Sequence, residues 1–541
     1  MNQFFNLFLK SSIAGLLSVC LLSQPSNAQQ TPPKIEWQRS LGGTKGDEAT
    51  SISQTSDGGY IIAGVSASID GDVSDHHGSG GFIDSWIVKL TSGGELAWQK
   101  SLGGKMTDYA ASISQTSDGG YIVAGWSAST DGNVTGNHGG DDYWIVKLTS
   151  AGAIEWEKSL GGSGSEIATS ITQTGDGGYI VAGWSGSTDG DVTGNHGDND
   201  YWIVKLTSGG AIEWQKSLGG SGVDDAYSIT QTRDGGYIVV GWGQSTDGDV
   251  TGNAGYSDAW IVKLTGAGGI EWQQPLGGGN HDYGNAIEQT TDGGYIVAGA
   301  SRSTDGDVSG NHGGYDSWIV KLTSEGVIEW EKSLGGSGDE VASSIAQTSD
   351  SGYIVAGWSL SNDGDVSGNR GAYDSWIVKL RSGGEIEWKK SLGGSGEDGA
   401  SSIAQTSDGG YIVAGGSSST DGDARGNHGE RDFWIVKLAP PNSTGIKPTE
   451  PPTPSPWAMN ANYPNPFSST TTITFTVPER SFVRLSVDNE QGVEVARLIE
   501  EHLEAGEYRV PFSGEGLASG TYLYRLTSGS TSLVGKMTVV R

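Results

Sequence analysis

The chain has 541 residues, 90 of them glycine, and only 18% are charged. That density of helix-breaking glycine argues against a helical protein and for many short strands joined by tight turns. A formal net charge of -32 excludes nucleic acids and anionic membranes as partners, and suits cations, basic partners or neutral polymers.

Residues 1–28 read as an export signal. Lys10 supplies the positive charge, Ser12 to Leu22 a short apolar core, and Ser26-Asn27-Ala28 a small-residue cleavage site. The core is too short to span a bilayer, and no later stretch is apolar enough to do so. The single cysteine, Cys20, lies inside this segment, so the exported protein is expected to close without disulfides. A lipoprotein reading would use Leu17-Ser18-Val19-Cys20, and the bulky Val19 argues against it.

Internal repeats follow. Trp-Ile-Val-Lys-Leu begins at Trp86, Trp144, Trp202, Trp260, Trp318, Trp376 and Trp434, always 58 residues apart. A tyrosine series runs from Tyr60 and Tyr121 to Tyr411, and a tryptophan series from Trp37 and Trp98 to Trp388. Both have a first gap of 61, which one insertion near Gly78 to Gly81 explains. Each repeat holds four strand-like runs. Around residue 200 they are Ala168–Thr174 (A), Tyr179–Ser185 (B), Tyr201–Thr207 (C) and Ile212–Leu218 (D). Asp176-Gly177-Gly178 turns A into B. Runs B and C are apolar on both faces, as expected of strands covered on both sides.

The seventh repeat has runs A, B and C but stops at Ala439-Pro440-Pro441 without D. A spare D run stands at the other end of the chain, Ile35–Ser40. The two ends together complete seven sets of four. The expected architecture is therefore all-β: a seven-bladed β-propeller over residues 29–439, latched by its N-terminal strand, with no blade missing a strand. The repeats resemble those of bacterial extracellular β-propellers. They lack the Trp-Asp signature of WD repeats and are only loosely kelch-like, so the resemblance implies a fold and no particular activity.

The B–C connections are long, polar and nearly identical, and share one face of the ring with the D–A connections. Binding usually resides on such loops. Asp189, Asp191 and Asp200 stand at positions 1, 3 and 12 of one loop, with Gly194 at 6, close to the spacing of an EF-hand calcium loop. The register recurs at Asp131/Asn133/Asp142, Asp247/Asp249/Asp258, Asp305/Asp307/Asp316 and Asp363/Asp365/Asp374. Position 5 is Ser or Thr, position 12 is Asp where an EF-hand has Glu, and no helices flank the loop. Ca2+ is thus one reading, and Asp-Gly and Gly-Asn turn chemistry the other.

His138, His196, His312 and His428 share one loop position. Blades hold equivalent residues far apart, so these read as solvated loop histidines and not as a shared zinc site. The Gly-rich D–A connection lacks the lysine and helix of a phosphate loop. No catalytic constellation stands out from the repeats, so the chain does not read as an enzyme. Trp126, Trp184, Trp242 and Trp358 follow run B and are expected to pack between blades, with sugar stacking as the alternative.

Residues 440–457 form a Pro/Thr/Ser linker. Residues 458–541 then change character. They carry Asn462-Tyr463-Pro464-Asn465-Pro466-Phe467, the alternating strand Thr472–Val477, Ala505-Gly506-Glu507-Tyr508, Leu517-Ala518-Ser519-Gly520-Thr521-Tyr522 and a terminal Lys536-Met537-Thr538-Val539-Val540-Arg541. On these motifs the segment resembles the type A C-terminal sorting domain of the type IX secretion system. Val493 stands where the family usually has a basic residue. The alternation itself gives about seven short strands, hence an Ig-like β-sandwich. The resemblance implies passage through the periplasm, recognition by the type IX machinery, and secretion or display on the outer-membrane surface. Three roles remain open: binding an extracellular polysaccharide or protein through the loop face, a calcium-stabilised structural or adhesive role, and a polysaccharide lyase or hydrolase.

Overall fold

Every repeat folds the same way because the same residues start and stop its strands. In the third blade these are Glu166–Gln173 (A), Tyr179–Ser185 (B), Asp200–Leu206 (C) and Ile212–Leu218 (D). The A–B turn depends on Gly177, whose φ of 83° suits glycine, and on Asp176, whose Oδ1 accepts the Gly178 N–H and the Thr174 hydroxyl. The four strands pair antiparallel in the order A-B-C-D, with Val181 opposite Val204 at the centre. This computed structural model describes residues 30–440 apart from 79–80, and most of 457–540. The export signal at 1–28 and the linker 440–457, except its end residues, lie outside the described residues.

The chain divides into two compact units, Met1–Asn442 and Ser443–Arg541. In the first, seven four-stranded sheets close into a propeller. The A strands of successive blades touch all the way round, the seventh (Asp398–Gln405) meeting the first (Asp47–Gln54), so A lies nearest the axis. The latch is present. Ile35–Leu41 pairs antiparallel with the last C strand, Asp432–Leu438, from Ile35 opposite Leu438 to Leu41 opposite Phe433.

Alternation along B and C feeds two different cores. Tyr179, Val181, Trp202 and Val204 pack towards the second blade, while Ile180, Ala182, Tyr201 and Ile203 pack towards the fourth. Burying each such side chain contributes roughly 1.5–3 kcal/mol, so seven interfaces of this kind hold the ring without disulfides.

The A and C strands begin earlier than the apolar runs suggest: A at Glu166 and not at Ala168, C at Asp200 and not at Tyr201. The cause is an acidic first residue that is fully buried. Glu166 Oε1 accepts the Ser185 hydroxyl at 2.7 Å and Oε2 the Gly162 N–H at 2.7 Å, which extends pairing past the apolar stretch.

In the second unit Ala458–Met459, Thr470–Val477 and Gly506–Ser513 form one sheet. Glu494–Leu503, Ser481–Asn489, Gly520–Ser528 and Thr531–Val539 form another. Phe467, Ile473, Phe475, Leu485, Tyr524 and Met537 from both sheets and the segment before them share one core, giving a β-sandwich.

Candidate functional site

The B–C loops are held down by their own carboxylates. At position 1, Asp131, Asp189, Asp247, Asp305 and Asp363 accept the N–H of Lys105, Ser163, Ser221, Gly279 and Ser337 at 2.7–2.9 Å. Each tie joins a loop to the D–A crossing before it. At position 3, Asn133, Asp191, Asp249 and Asp307 accept Gly103, Gly161, Gly219 and Gly277 N–H at 3.2–3.4 Å, and Asp365 donates its own N–H to Gly335 O at 2.7 Å. At position 12, Asp142, Asp200, Asp258, Asp316 and Asp374 are buried at the head of the C strand. Each accepts the N–H of the residue four before it, at 2.8–3.1 Å. The EF-hand-like residues thus serve the backbone in three places. Among the described residues no three His, Cys, Asp or Glu side chains stand together as a ready-made metal centre.

The loop histidines are not simply solvated. His138, His196, His312 and His428 are half-exposed, and each sets Nδ1 2.7–2.9 Å from the position-12 carboxylate. Burial pushes those carboxyls up. Asp258 and Asp374, which face Ala254 and Arg370 in place of histidine, are raised to about 6 by burial, with Asp282 and Asp398 respectively adding like charge.

A second acidic series escapes a motif-based reading: Asp47, Asp108, Glu166, Asp224, Asp282, Glu340 and Asp398 open the seven A strands and are fully buried. The signal was its strict repetition, with only Asp and Glu at that place.

Symmetry breaks at the channel mouth, on the loop face. The second residue of successive A strands is Glu48, Tyr109, Ile167, Asp225, Tyr283, Val341 and Gly399. Between the fourth and sixth blades lies a pocket of about 360 Å³ lined by Tyr227, Tyr283, Tyr315, Trp358, Asn285 and Asp339, among others. Its floor includes Ala300, which occupies the place of Trp126, Trp184, Trp242 and Trp358 in other blades. The missing indole makes the room.

Around it, Trp242 and Tyr283 meet edge to face at 5.8 Å, Tyr283 and Tyr315 lie 5.8 Å apart, and His281 stacks between Tyr283 and Tyr256. The Arg302 guanidinium lies 5.5 Å above Tyr315. Burial and the neighbouring Tyr283 hold the Tyr315 hydroxyl up at about 12, so it stays protonated at neutral pH.

The repeat tryptophans divide. Trp242 crosses to the next blade as expected, whereas Trp126 stacks on Tyr109 of its own blade at 5.6 Å and 4°. A larger groove of about 620 Å³ on the opposite face, by Asp57, Lys89 and Trp98, is built from residue types that recur in the repeats and carries no such distinction.

In the second unit the Asn-Tyr-Pro-Asn-Pro-Phe motif clasps the final strand. Asn465 accepts the Thr538 N–H at 2.8 Å and donates to Lys536 O at 3.1 Å. Phe467 pairs its backbone with Thr538 and Val540 and buries its ring. Asn462, also buried, donates to Thr471 Oγ1 at 2.8 Å. Residues 461–540 match the family model of the secretion system C-terminal sorting domain. The chain carries a type IX secretion sorting domain.

The sorting domain makes this a secreted or outer-membrane surface protein, and among the described residues no helix is long and apolar enough to cross a membrane. No curated protein matches the chain. Among solved structures, the Neurospora crassa Pan2 WD40 domain is similar with a TM-score of 0.42 at 8% identity, over 76% of this chain and 97% of that one. PorZ, a surface component of the type IX secretion system of Porphyromonas gingivalis, is similar with a TM-score of 0.36 at 11% identity, over 90% of this chain and 58% of its own. A puromycin hydrolase gives 0.41 at 12% identity, over 84% and 62%. None of these likenesses carries a function across to this chain.

Proposed function

We propose that this exported propeller is a binding protein that takes an extracellular polysaccharide at its channel mouth, over the fourth to sixth blades. The observation that carries the reading is the Ala300 gap. Ala300, at the place where four other blades carry tryptophan, leaves a pocket walled by partly buried Tyr227, Tyr283, Tyr315 and Trp358. Aromatic faces stack on the apolar faces of sugar rings, while Asn285 and Asp339 offer polar groups to hydroxyls. The net charge of -32 favours a neutral glycan over a polyanion. The test is a glycan array followed by calorimetry on the purified mature chain. Binding of a neutral polysaccharide that is lost in Tyr283→Ala and Trp358→Ala supports the reading. Binding that survives both substitutions, or none at all, overturns it. Shortening of the polymer during the measurement would reveal hydrolase or lyase activity instead.

A further inference from the structure

Six of the seven blade boundaries carry a buried carboxylate oxygen with no hydrogen-bond partner on the residue that opens a C strand, and at the boundary between the seventh and first blades Asp47 Oδ1, at the head of an A strand, is a second. The boundary between the fourth and fifth blades shows the consequence most clearly. Asp258 is 2% exposed; its Oδ2 accepts the Ala254 N–H at 2.9 Å and its Oδ1 accepts nothing. Facing it is Asp282 of the next blade, 0% exposed, whose Oδ2 accepts Gly278 N–H and the Ser303 hydroxyl at 2.8 and 2.7 Å. Gly277 lies between them. A Cβ there would fall 2.8 Å from Asp258 Oδ1 and 2.5 Å from Asp282 Oδ2, so the glycine keeps open a space walled by two acidic oxygens. From the loop face Asp307 completes the surroundings, with Oδ2 3.3 Å from Gly277 N and its N–H on Gly277 O.

Two buried carboxylates with one oxygen orphaned are costly unless a positive charge joins them. One boundary shows where such a charge goes. Between the sixth and seventh blades the residue equivalent to Ala254 is Arg370. Its Nη1 lies 2.6 Å from Asp423 Oδ2 and 3.0 Å from Gly393 O, the counterparts of Asp307 and Gly277. Although Asp374 Oδ1, the counterpart of Asp258 Oδ1, still accepts no hydrogen bond, the chain itself places a cation on the loop-face side of that space. At Ala254 the side chain that would do so is missing while the acidic residues remain.

We infer that the space over Gly277 binds a calcium ion that draws together Asp258 and Asp282 across the blade boundary and Asp307 from the loop face, three acids that do not form a ready-made centre without it. The donors are all oxygens, which suits a hard divalent cation and not zinc or copper, and calcium accepts irregular sets completed by water. The position-12 and position-3 acids of the loops are then ligands, but the partner is the first residue of the next blade's A strand, not position 1 of the same loop. Such an ion would join neighbouring blades where two buried acids now face each other, independently of the aromatic pocket.

The experiment uses the purified mature chain, stripped with EDTA and titrated with CaCl2 by calorimetry and by thermal melting. Calcium uptake is expected, with a rise in Tm of about 5 °C or more at saturation. The double variant Asp258→Asn/Asp282→Asn should fold in EDTA at least as well as the parent, since its like charges are gone, and bind one ion fewer. Ala254→Arg, which copies the sixth-to-seventh boundary, should lose the same ion while keeping both acids. If the stripped protein takes up no calcium, the carboxyls share a proton and the inference fails. It fails equally if both variants bind as many ions as the parent.

Discussion

Trp434 Nε1 donates to Gln38 Oε1 across 2.7 Å, repeating between the two ends of the propeller chain the bond that Trp202 makes to Gln215 within its own blade at 2.9 Å. The N-terminal strand is therefore a D strand in every respect except connectivity. Trp37 supports it by meeting Tyr60 of the first blade edge to face at 5.6 Å. Deleting Ile35–Leu41 should expose the paired edge of Asp432–Leu438 and lower Tm by about 10 °C or more, or cause aggregation. Moving the same strand behind Leu438 through a Ser-Gly-Gly turn should restore the parent Tm to within a few degrees. Melting curves of the deletion and the permutant check both.

Gly183 stands where the A strand of the third blade crowds the B strand. A Cβ there would lie 1.9 Å from Ile167 O and 2.7 Å from the Tyr143 hydroxyl, which itself donates to Trp202 O. The A strand bulges at this point, between Ala168 and Ser170. Gly183→Ala must force the A and B strands of its own blade apart and displace the Tyr143 hydroxyl of the second blade, and a cost above about 3 kcal/mol is expected, in the range of severe core overpacking. Denaturant titration measures it. By contrast Gly177→Ala meets no atom within 4 Å, and only its positive φ opposes the change, so a loss of about 1 kcal/mol is expected.

The strands, the latch and the sandwich were legible because each is written in a local pattern that repeats: apolar runs, glycine turns, and one D run displaced to the far end. The ends of the strands were less so, since Glu166 and Asp200 look like loop residues until the blades are assembled around them. The Ala300 pocket is defined by an absence. Four tryptophans were visible, yet what replaces them in the fifth blade matters only once Tyr283 and Trp358 are known to flank it. The Asp258–Asp282 pair was invisible for a different reason. Each acid alone fits turn chemistry, and their meeting across a blade boundary is a property of ring closure.

Acid should unfold the propeller through its buried lysines. Lys205 is almost fully buried, bonds Leu206 O, and reaches Asp176 Oδ2 at 2.9 Å. Hydrogen bonds from Thr174 and Lys205 hold the Asp176 carboxyl down at about 2, against 3.8 unperturbed. The folded form therefore favours the ionised acid. The stabilisation is complete above pH 4 and lost as pH falls through 2. Asp57, Asp118 and Asp234 sit equally low, at about 2, so the effect repeats around the ring. These acids are partly exposed and solvent screens each pair, so the effect of any one is modest. Tm followed from pH 7 to pH 2 should fall steeply below pH 4, and Asp176→Asn should make that fall shallower while lowering Tm at pH 7.

Filling the pocket tests the binding reading from the other side. Ala300→Trp restores the residue that the second, third, fourth and sixth blades carry at this place, so the fold has precedent for it. The indole should occupy the space between Tyr283 and Trp358 and weaken polysaccharide binding by about tenfold or more, with Tm within a few degrees of the parent. Trp184→Ala, away from the pocket, should leave affinity unchanged. Calorimetry on the two variants separates a local pocket from a ligand spread over the whole ring.

The sorting domain predicts where the protein stops when it fails. Its final strand, Thr531–Val539, is held on one edge by Gly520–Ser528 and clasped at its end by Asn465 and Phe467. Asn465→Ala removes both side-chain bonds to that strand and leaves two backbone groups to find water, for an expected loss of about 1–2 kcal/mol in the isolated fold. Phe467→Ala empties part of the sandwich core and should cost more, about 3 kcal/mol. If recognition by the type IX machinery needs the strand ordered, cell fractionation should show the propeller accumulating in the periplasm in the order parent, Asn465→Ala, Phe467→Ala, deletion of 458–541. The same propeller purified from each strain should melt at one temperature, since none of these changes touches a blade. Equal surface levels in all four would mean that the sandwich does not direct export, and its motif would then be serving stability alone.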